Sequence, residues 1–399
     1  MSKPRIFISI HYLEIGGAEI SLIGLLNAID YSQCDVDLFV YSHQGELMKL
    51  LPQEVNLLPE IRKYSFIEKP ITSCIKYGYW DLALGRLWAK VQARSFAKRN
   101  KIKKMNNSVY HYLMQNIIRF LPKIASDVEY DLAISYLHPF HIIRDKVKAK
   151  KKVGWIHTDF NYFDTDKESE LPVWNSLDYI ISISDKITES FHQVFPQLDN
   201  KIIMIENILP KEYIDAKLTE FDYSFPSVEG RVNLLSVGRF SHQKNFENIP
   251  QILNLIRNQG IDVYWYLIGF GGDEMLIRGA IDREGMQDYV IILGKKENPY
   301  PYIKACDIYV QPSRYEGKSV VVREAQYLRK PVVITDYPTA KSQIRDGYDG
   351  VIVPLNNEDC ARGICDFIRN RELQKSIIDY VSVNDYTNMG EISKLYDLI

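Results

Sequence analysis

Glu316 and Glu324 stand eight positions apart in Glu316-Gly317-Lys318-Ser319-Val320-Val321-Val322-Arg323-Glu324, directly after the apolar run Asp307-Ile308-Tyr309-Val310-Gln311-Pro312-Ser313. Carboxylates accept hydrogen bonds from sugar hydroxyls. A helix start between two of them adds unpaired N–H groups and the positive end of a dipole, where phosphate binds. With a helix from Ser319 onward, the pair brackets the first two turns, roughly 12 Å at about 1.5 Å per residue. A sugar and a ribose joined by a pyrophosphate need that reach, with Glu316 toward the sugar and Glu324 toward the ribose. Taken alone, the pair fits a solvated helix start better, and the neighbouring motifs shift the balance. The first is Val237-Gly238-Arg239-Phe240-Ser241-His242-Gln243-Lys244-Asn245, where a strand from Val232 to Val237 runs into a glycine turn followed by two cations. On their own, Arg239 and Lys244 also read as a pair of solvated loop cations.

Such groups need elements to hold them. Short β-rich runs recur at Arg5 to Ile10, Val36 to Tyr41, Asp131 to Tyr136, Lys152 to Ile156, Tyr179 to Ile183 and Ile202 to Ile205. A second series follows at Val232 to Val237, Val263 to Ile268, Val290 to Leu293, Ile308 to Val310, Val332 to Thr335 and Gly350 to Val353. Continuous apolar strands separated by helical patterns imply parallel sheets covered on both faces. The expected fold class is α/β, with two Rossmann-like doubly wound domains facing across a cleft. The expected boundaries are 1–207 for an acceptor-side domain, 208–230 for a linker, 231–372 for a nucleotide-sugar domain, and 373–399 for a helical segment packing back on the first domain. Ligands in such sheets sit beyond the carboxyl ends of the strands. There the first domain carries Gly16-Gly17-Ala18-Glu19, His138 and His157, and the second carries Arg239, Lys244, Gly269-Phe270-Gly271-Gly272, Glu316 and Glu324. The Gly16-Gly17 pair is expected to turn tightly and bring backbone N–H groups close to a ligand before a helix.

At 399 residues the chain is too long for one ordinary core, and 46% hydrophobic with 25% charged residues is a globular composition. The net charge of −2 gives no support to nucleic-acid binding. Five cysteines without a CxxC spacing argue against a disulfide framework or a zinc site. The start, Met1-Ser2-Lys3-Pro4-Arg5, has no signal-peptide pattern, and no apolar run approaches the ~18 residues that span a bilayer. A cytoplasmic setting is expected, with the inner face of the cell membrane as a place of contact.

Assembled in order, these motifs resemble the retaining glycosyltransferases of family 4 and their GT-B fold. The resemblance rests on Gly16-Gly17-Ala18-Glu19, Ile156-His157-Thr158, Gly238-Arg239 with Lys244-Asn245, Ile268-Gly269-Phe270-Gly271, Pro312-Ser313-Arg314-Tyr315-Glu316-Gly317 and Glu324-Ala325, and covers nearly the whole length. It implies that Glu316 contacts donor-sugar hydroxyls, Glu324 the ribose, and Arg239 and Lys244 the pyrophosphate. Gly17, Gly269, Lys296, Gly317, Lys318 and Ser319 join the donor side, while Gly16, Gly17, His138 and His157 face the acceptor. His157 stands where the family often has a histidine near the reacting sugar. For His138, a simple loop hydrogen bond explains its place equally well. The implied activity moves a sugar from a nucleoside diphosphate, expected to be UDP, to a glycan or lipid-linked acceptor with retention, needing no cofactor and no metal. Lys318-Ser319 departs from the apolar residues common after the family's Glu-Gly, and Glu206-Asn207-Ile208 is only a remnant of its usual turn, to which no role is assigned.

Other activities remain open on the sequence: a sugar-nucleotide epimerase, a phosphorylase, or a non-catalytic nucleotide-sugar-binding subunit. A nicotinamide oxidoreductase fits less well, because Gly269-Phe270-Gly271-Gly272 lacks the third glycine at fingerprint spacing. One segment lies outside all of these readings, a basic amphipathic insertion at about 76–126. From Leu82 to Ser126 there is no Asp or Glu, while Arg86, Lys90, Arg94, Lys98, Arg99, Lys101, Lys103, Lys104, Arg119 and Lys123 interleave with apolar residues including Leu84, Leu87, Trp88, Val91 and Phe96. Such a helix suits an anionic membrane surface, or packs on its domain with a solvated basic face.

Overall fold

The computed structural model describes residues 3–102, 105–106 and 108–399. The chain forms two compact units, one of Met1–Ile208 with Met389–Ile399, the other of Leu209–Asn388.

The first unit is built on a parallel sheet of β1 (Arg5–Ile10), β2 (Asp35–Val40), β3 (Asn56–Leu57), β5 (Tyr130–Ser135), β6 (Ala149–Ile156), β8 (Tyr179–Ser182) and β9 (Ile202–Met204). Their spatial order is β3-β2-β1-β5-β6-β8-β9. Two short strands, β4 (Met105–Asn106) and β7 (Phe163–Asp164), pair apart from it. The second unit's sheet is β10 (Val232–Val237), β11 (Val263–Ile268), β12 (Val290–Gly294), β13 (Ile308–Gln311), β14 (Val332–Thr335) and β15 (Val351–Val353). It is ordered β12-β11-β10-β13-β14-β15, again all parallel. Both are doubly wound sheets, so strand order reverses beside β1 in one and beside β10 in the other. Central strands such as β1 and β11 read as largely apolar runs because both faces are covered. Ile6, Phe7 and Ile8 are successive residues of β1, and all three are fully buried.

The segment expected as a linker is part of the second unit: Leu209, Ile214 and Phe225 are buried among Tyr266, Tyr300 and Tyr309. The expected 373–399 return begins later, at Met389. The helix Arg371–Val383 keeps Ile377 and Val381, one turn apart, in the second unit's core. The returning Met389–Ile399 segment buries Leu395 and Leu398 in the first unit's core. Polar contacts fix its register there. The Tyr396 hydroxyl accepts from the Asp30 N–H at 2.7 Å, and Glu391 accepts from the Glu206 N–H at 2.8 Å.

The basic insertion contains the helix Trp80–Arg99, which packs on the helix Ser108–Ile117. Small residues allow the approach: a Cβ on Gly85 would lie 2.5 Å from Ile117 Cγ2. Phe96 turns inward, with its ring centre 6.4 Å from that of Tyr112, and so leaves the outer face on which the sequence placed it. Lys103 and Lys104 lie outside the described residues. Among the described residues no helix is long and apolar enough to cross a membrane, and all five cysteines are buried and unpaired.

Because Leu395 is fully buried in the core of the first unit, Leu395→Ala is expected to destabilise it by about 2–5 kcal/mol. Urea unfolding measures this, and an unchanged midpoint would mean that the tail contributes nothing to that core.

Candidate active site

In the second unit the acidic and basic motifs meet beyond neighbouring strands. Gly238 to Asn245 follows β10 and Pro312 to Gly317 follows β13, two strands paired at the reversal of strand order. Lys244 Nζ lies 2.6 Å from Glu316 Oε1, with both side chains largely buried. Ser313 Oγ donates to the same oxygen at 2.6 Å and Gln311 Nε2 at 3.2 Å, while Gln243 Nε2 donates to Oε2 at 3.1 Å. Gln311 is oriented in turn by the Tyr309 hydroxyl, which donates to its Oε1 at 2.6 Å. The two loops are also tied together by Asn245 Nδ2 to the Pro312 carbonyl at 3.0 Å and by the Arg314–Glu247 ion pair at 2.7 Å. Asn245 adopts φ 63°, a left-handed conformation that asparagine tolerates. Glu316 is therefore a fixed carboxylate on a rigid frame.

Arg239 is exposed, and its guanidinium makes no hydrogen bond or ion pair among the described residues. Lys244 spends one of three donors on Glu316, which leaves two for an anion. Close beside them the loop after β11 needs glycine: Gly269 and Gly271 have φ of 153° and 158°. A Cβ on Gly269 would stand 1.9 Å from the Gly238 carbonyl oxygen, and one on Gly271 2.2 Å from that of Phe240. Backbone thus packs on backbone, with no side chain between.

The helix Val320–Tyr327 begins where the sequence placed it, with Ser319 as its N-cap. Its first N–H is already used, since Ser319 N donates to Gln343 Oε1 at 2.6 Å. Ser319 Oγ and the nearby Tyr337 hydroxyl are buried without a partner. Glu324 sits deeper than a ligand-facing helix start implies. It is 2% exposed, accepts from the Tyr300 hydroxyl at 3.0 Å, and is pushed up to about 7 by burial, against the lowering effect of that bond. Val322, Glu324, Ala325 and Gln326 are all buried, so this helix is covered on more than one side and Glu324 lies on a covered one. Gly317 and Lys318 lie between Glu316 and the N-cap, and Lys318 is half-buried. Lys296 follows β12, with Nζ 5.7 Å from the centre of the Tyr302 ring.

In the first unit Gly16 is the N-cap of the helix Gly17–Ala28, with φ −153° and ψ 160°. That is extended backbone open to any residue, so the tight turn expected of the pair is absent. Gly16 is small for another reason, because a Cβ there would lie 2.3 Å from Glu19 Oε2. His157 follows β6, half-buried, its ring 4.8 Å from Tyr136 and nearly parallel to Trp155 at 6.2 Å. Its buried Nε2 has no partner. Burial holds this imidazole down to about 3, so it acts as a neutral hydrogen-bonding ring. His138 is packed instead against Phe140 and Trp174, at 4.6 and 5.8 Å between ring centres.

Sequence reasoning passed over several residues. Gln311 and Ser313 hold Glu316 and sit in the very run that ends β13. His11, just after β1, pairs with Glu68 at 2.8 Å, and Glu68 also accepts from the Tyr110 hydroxyl. Asn207 accepts from Ser21 Oγ at 2.8 Å, which gives the unassigned Glu206-Asn207 turn a structural role. Position directly after a strand was the available signal for Gln311, Ser313 and His11; nothing local marks Asn207.

Known proteins share this fold of two doubly wound parallel sheets. Residues 217–382 match the family described as Glycosyl transferases group 1. Relatives include an uncharacterized glycosyltransferase of Methanocaldococcus jannaschii, 30% identical over 50% of this chain and 54% of its own length. Another is the amylovoran biosynthesis glycosyltransferase AmsD of Erwinia amylovora, 27% identical over 44% and 48%. A Campylobacter jejuni N-acetylgalactosaminyltransferase named for a diphospho-undecaprenol-linked acceptor is 28% identical over 36% and 39%. The chain spans about half the length of the first two, 54% and 48%. Among solved structures, TarM of S. aureus covers 99% of both chains with a TM-score of 0.67 at 14% identity. HepE of Anabaena, solved with UDP and glucose, covers 99% of this chain and 98% of its own with a TM-score of 0.65 at 16% identity. The fold is GT-B in type.

The Glu324 carboxyl supplies a test of the site's electrostatics. With a folded value of about 7 against 4.5 unfolded, the native state binds the extra proton between those pH values, and stability falls as pH rises across that window. Glu324→Gln removes the penalty, so the variant should gain stability relative to the parent at pH 8 compared with pH 5, by up to ~3 kcal/mol. Urea midpoints at the two pH values measure it, and a pH-independent difference would show an ordinary carboxylate.

Proposed function

We propose that the protein is a retaining glycosyltransferase that takes a sugar from a nucleoside diphosphate, with UDP as the favoured carrier, and passes it to a glycan or lipid-linked acceptor. The observation that carries this reading is the arrangement beyond β10 and β13: a buried carboxylate fixed by Lys244, Ser313, Gln311 and Gln243, beside an unengaged Arg239 and a glycine-lined approach. The family match and the UDP and glucose bound to HepE support it. The Campylobacter relative supports a lipid-linked acceptor by its name alone.

Glu316 would hold donor-sugar hydroxyls, and Lys244 would bridge that carboxylate and the diphosphate with its remaining donors. Arg239 would meet the phosphates from solvent. As the bond between the anomeric carbon and the phosphate oxygen breaks, these cations carry the charge that develops on the leaving group. The acceptor oxygen bonds to the anomeric carbon on the same face, and its proton passes to the departing phosphate. With two fixed cations available, no metal is required. His157, a neutral ring with an open Nε2, would hydrogen-bond a sugar hydroxyl.

Glu324 gives the reading a pH signature. Ribose hydroxyls donate best to an ionised carboxylate, so UDP binding should release a proton from Glu324 near neutrality. UDP affinity is then expected to rise between pH 6 and 8 in the parent and stay flat in Glu324→Gln.

Transfer of radiolabelled sugar from UDP-, GDP- and ADP-sugars, with and without EDTA, tests the rest. Glu316→Gln and Arg239→Ala should each lower turnover roughly 100-fold or more while the protein stays folded, and EDTA should leave the parent's rate unchanged. His157→Ala should lower the rate more than His138→Ala. Near-normal turnover in Glu316→Gln, or loss on chelation restored by Mg²⁺, would refute the corresponding part.

A further inference from the structure

The helix Trp80–Arg99 is apolar on the side that faces away from its own domain. Its inner side is made of small residues, Gly85, Ala89 and Ala93, and of Leu82, all buried. Its outer side carries Trp80, Leu84, Leu87, Trp88 and Val91, exposed by 59%, 64%, 49%, 58% and 52%. Spacings of four, seven, eight and eleven from Trp80 place all five on one stripe, about 17 Å long at 1.5 Å per residue. Large apolar residues grouped in this way on a surface mark a contact site, unlike the single exposed ones that every protein has.

Charge around the stripe selects the partner. Lys90, Arg94, Lys98 and Arg99 are exposed on the same helix, Lys76 precedes it, and Lys101 follows it. Arg94 and Lys98 continue the stripe itself, one and two turns beyond Lys90's turn of the helix. No Asp or Glu occurs from Leu82 to Ser126, and the one acid of the helix, Asp81, is held by Lys63. We propose that this face lies in the interfacial layer of a bilayer containing anionic lipid, its apolar stripe entering the acyl boundary and its cations meeting the headgroups. Indole rings favour that layer, and Trp80 and Trp88 lie on the stripe. The surface belongs to the first unit alone and uses none of the residues assigned to the donor. It would hold the enzyme where a lipid-linked acceptor is found.

The full-length protein is mixed with phosphatidylcholine vesicles with and without phosphatidylglycerol, and sedimentation is measured. Trp155, Trp174 and Trp265 are buried, so a blue shift of tryptophan emission on binding reports Trp80 and Trp88. Binding to the anionic vesicles is expected to be at least about tenfold tighter than to neutral ones and to weaken with salt. Leu84→Ser with Trp88→Ser, and separately Arg94→Glu with Lys98→Glu, should each weaken it about tenfold or more. Circular dichroism and melting temperature should stay unchanged, because these side chains are exposed. Absence of binding to anionic vesicles, or binding that neither pair of changes affects, overturns the proposal. So does a lipid-free dimer that Leu84→Ser with Trp88→Ser converts to monomer, which would assign the stripe to a second copy of the chain. Sedimentation does not depend on sugar transfer, so its result is separate from that of the donor-site tests.

Discussion

The Lys244–Glu316 ion pair organises the second unit's polar end. A largely buried carboxylate costs several kcal/mol in desolvation unless it is paired and hydrogen-bonded. Glu316 meets that condition with four donors: one cation, one hydroxyl and two amides. Those donors come from the loop after β10, from the last residue of β13 and from the loop that follows it, and the two strands pair side by side at the point where strand order reverses. Ligands of open parallel sheets bind beyond the strand ends at such a reversal. Pairing also keeps Lys244 fixed without exhausting it, so one ammonium can serve both a carboxylate and an incoming anion.

The two acids of this region sit in different surroundings. Glu316 is held by four donors, one of them a cation. Glu324 accepts only from the Tyr300 hydroxyl among the described residues and is otherwise buried, and burial raises it to about 7. A group poised near neutrality can take up a neutral partner or exchange its proton for hydroxyl donors, and so can adapt to what occupies the site.

Much of the architecture was legible because parallel strands advertise themselves. Runs such as Val232–Val237, Val263–Ile268 and Val332–Thr335 are mostly apolar, and they stand within a residue or two of where the pattern put them. The residues at the strand ends were legible for the same reason: once strands are placed, Arg239, Lys244 and Glu316 must follow their carboxyl ends. What escaped was long-range. That Glu316 and Lys244, 72 residues apart, bond directly is a matter of which strands are neighbours, and order in a sheet is not order in sequence. The depth of Glu324 escaped because a helix's inward face depends on its rotation about its own axis. Gly16-Gly17 looked like a tight turn, but Gly16 is extended backbone and Gly17 opens a helix, whereas Gly269 and Gly271, read as a weak cofactor fingerprint, are the glycines that conformation and close packing require.

The helix Trp80–Arg99 shows a further limit of periodicity. An amphipathic pattern tells which side of a helix is apolar, and the usual inference buries that side. This helix defeats the inference, because its inner contact uses glycine and alanines whose small size lets the Ser108–Ile117 helix approach, and the large apolar residues are left over for the other side. Reversing the helix about its axis would seem to bury more apolar area. It would also drive Trp88 and Leu84 into the space that Gly85 and Ala89 now share with Ile117, where a single added Cβ already comes within 2.5 Å. Sterics on the narrow face therefore decide the orientation, and the hydrophobic surface outside is a consequence of close packing inside.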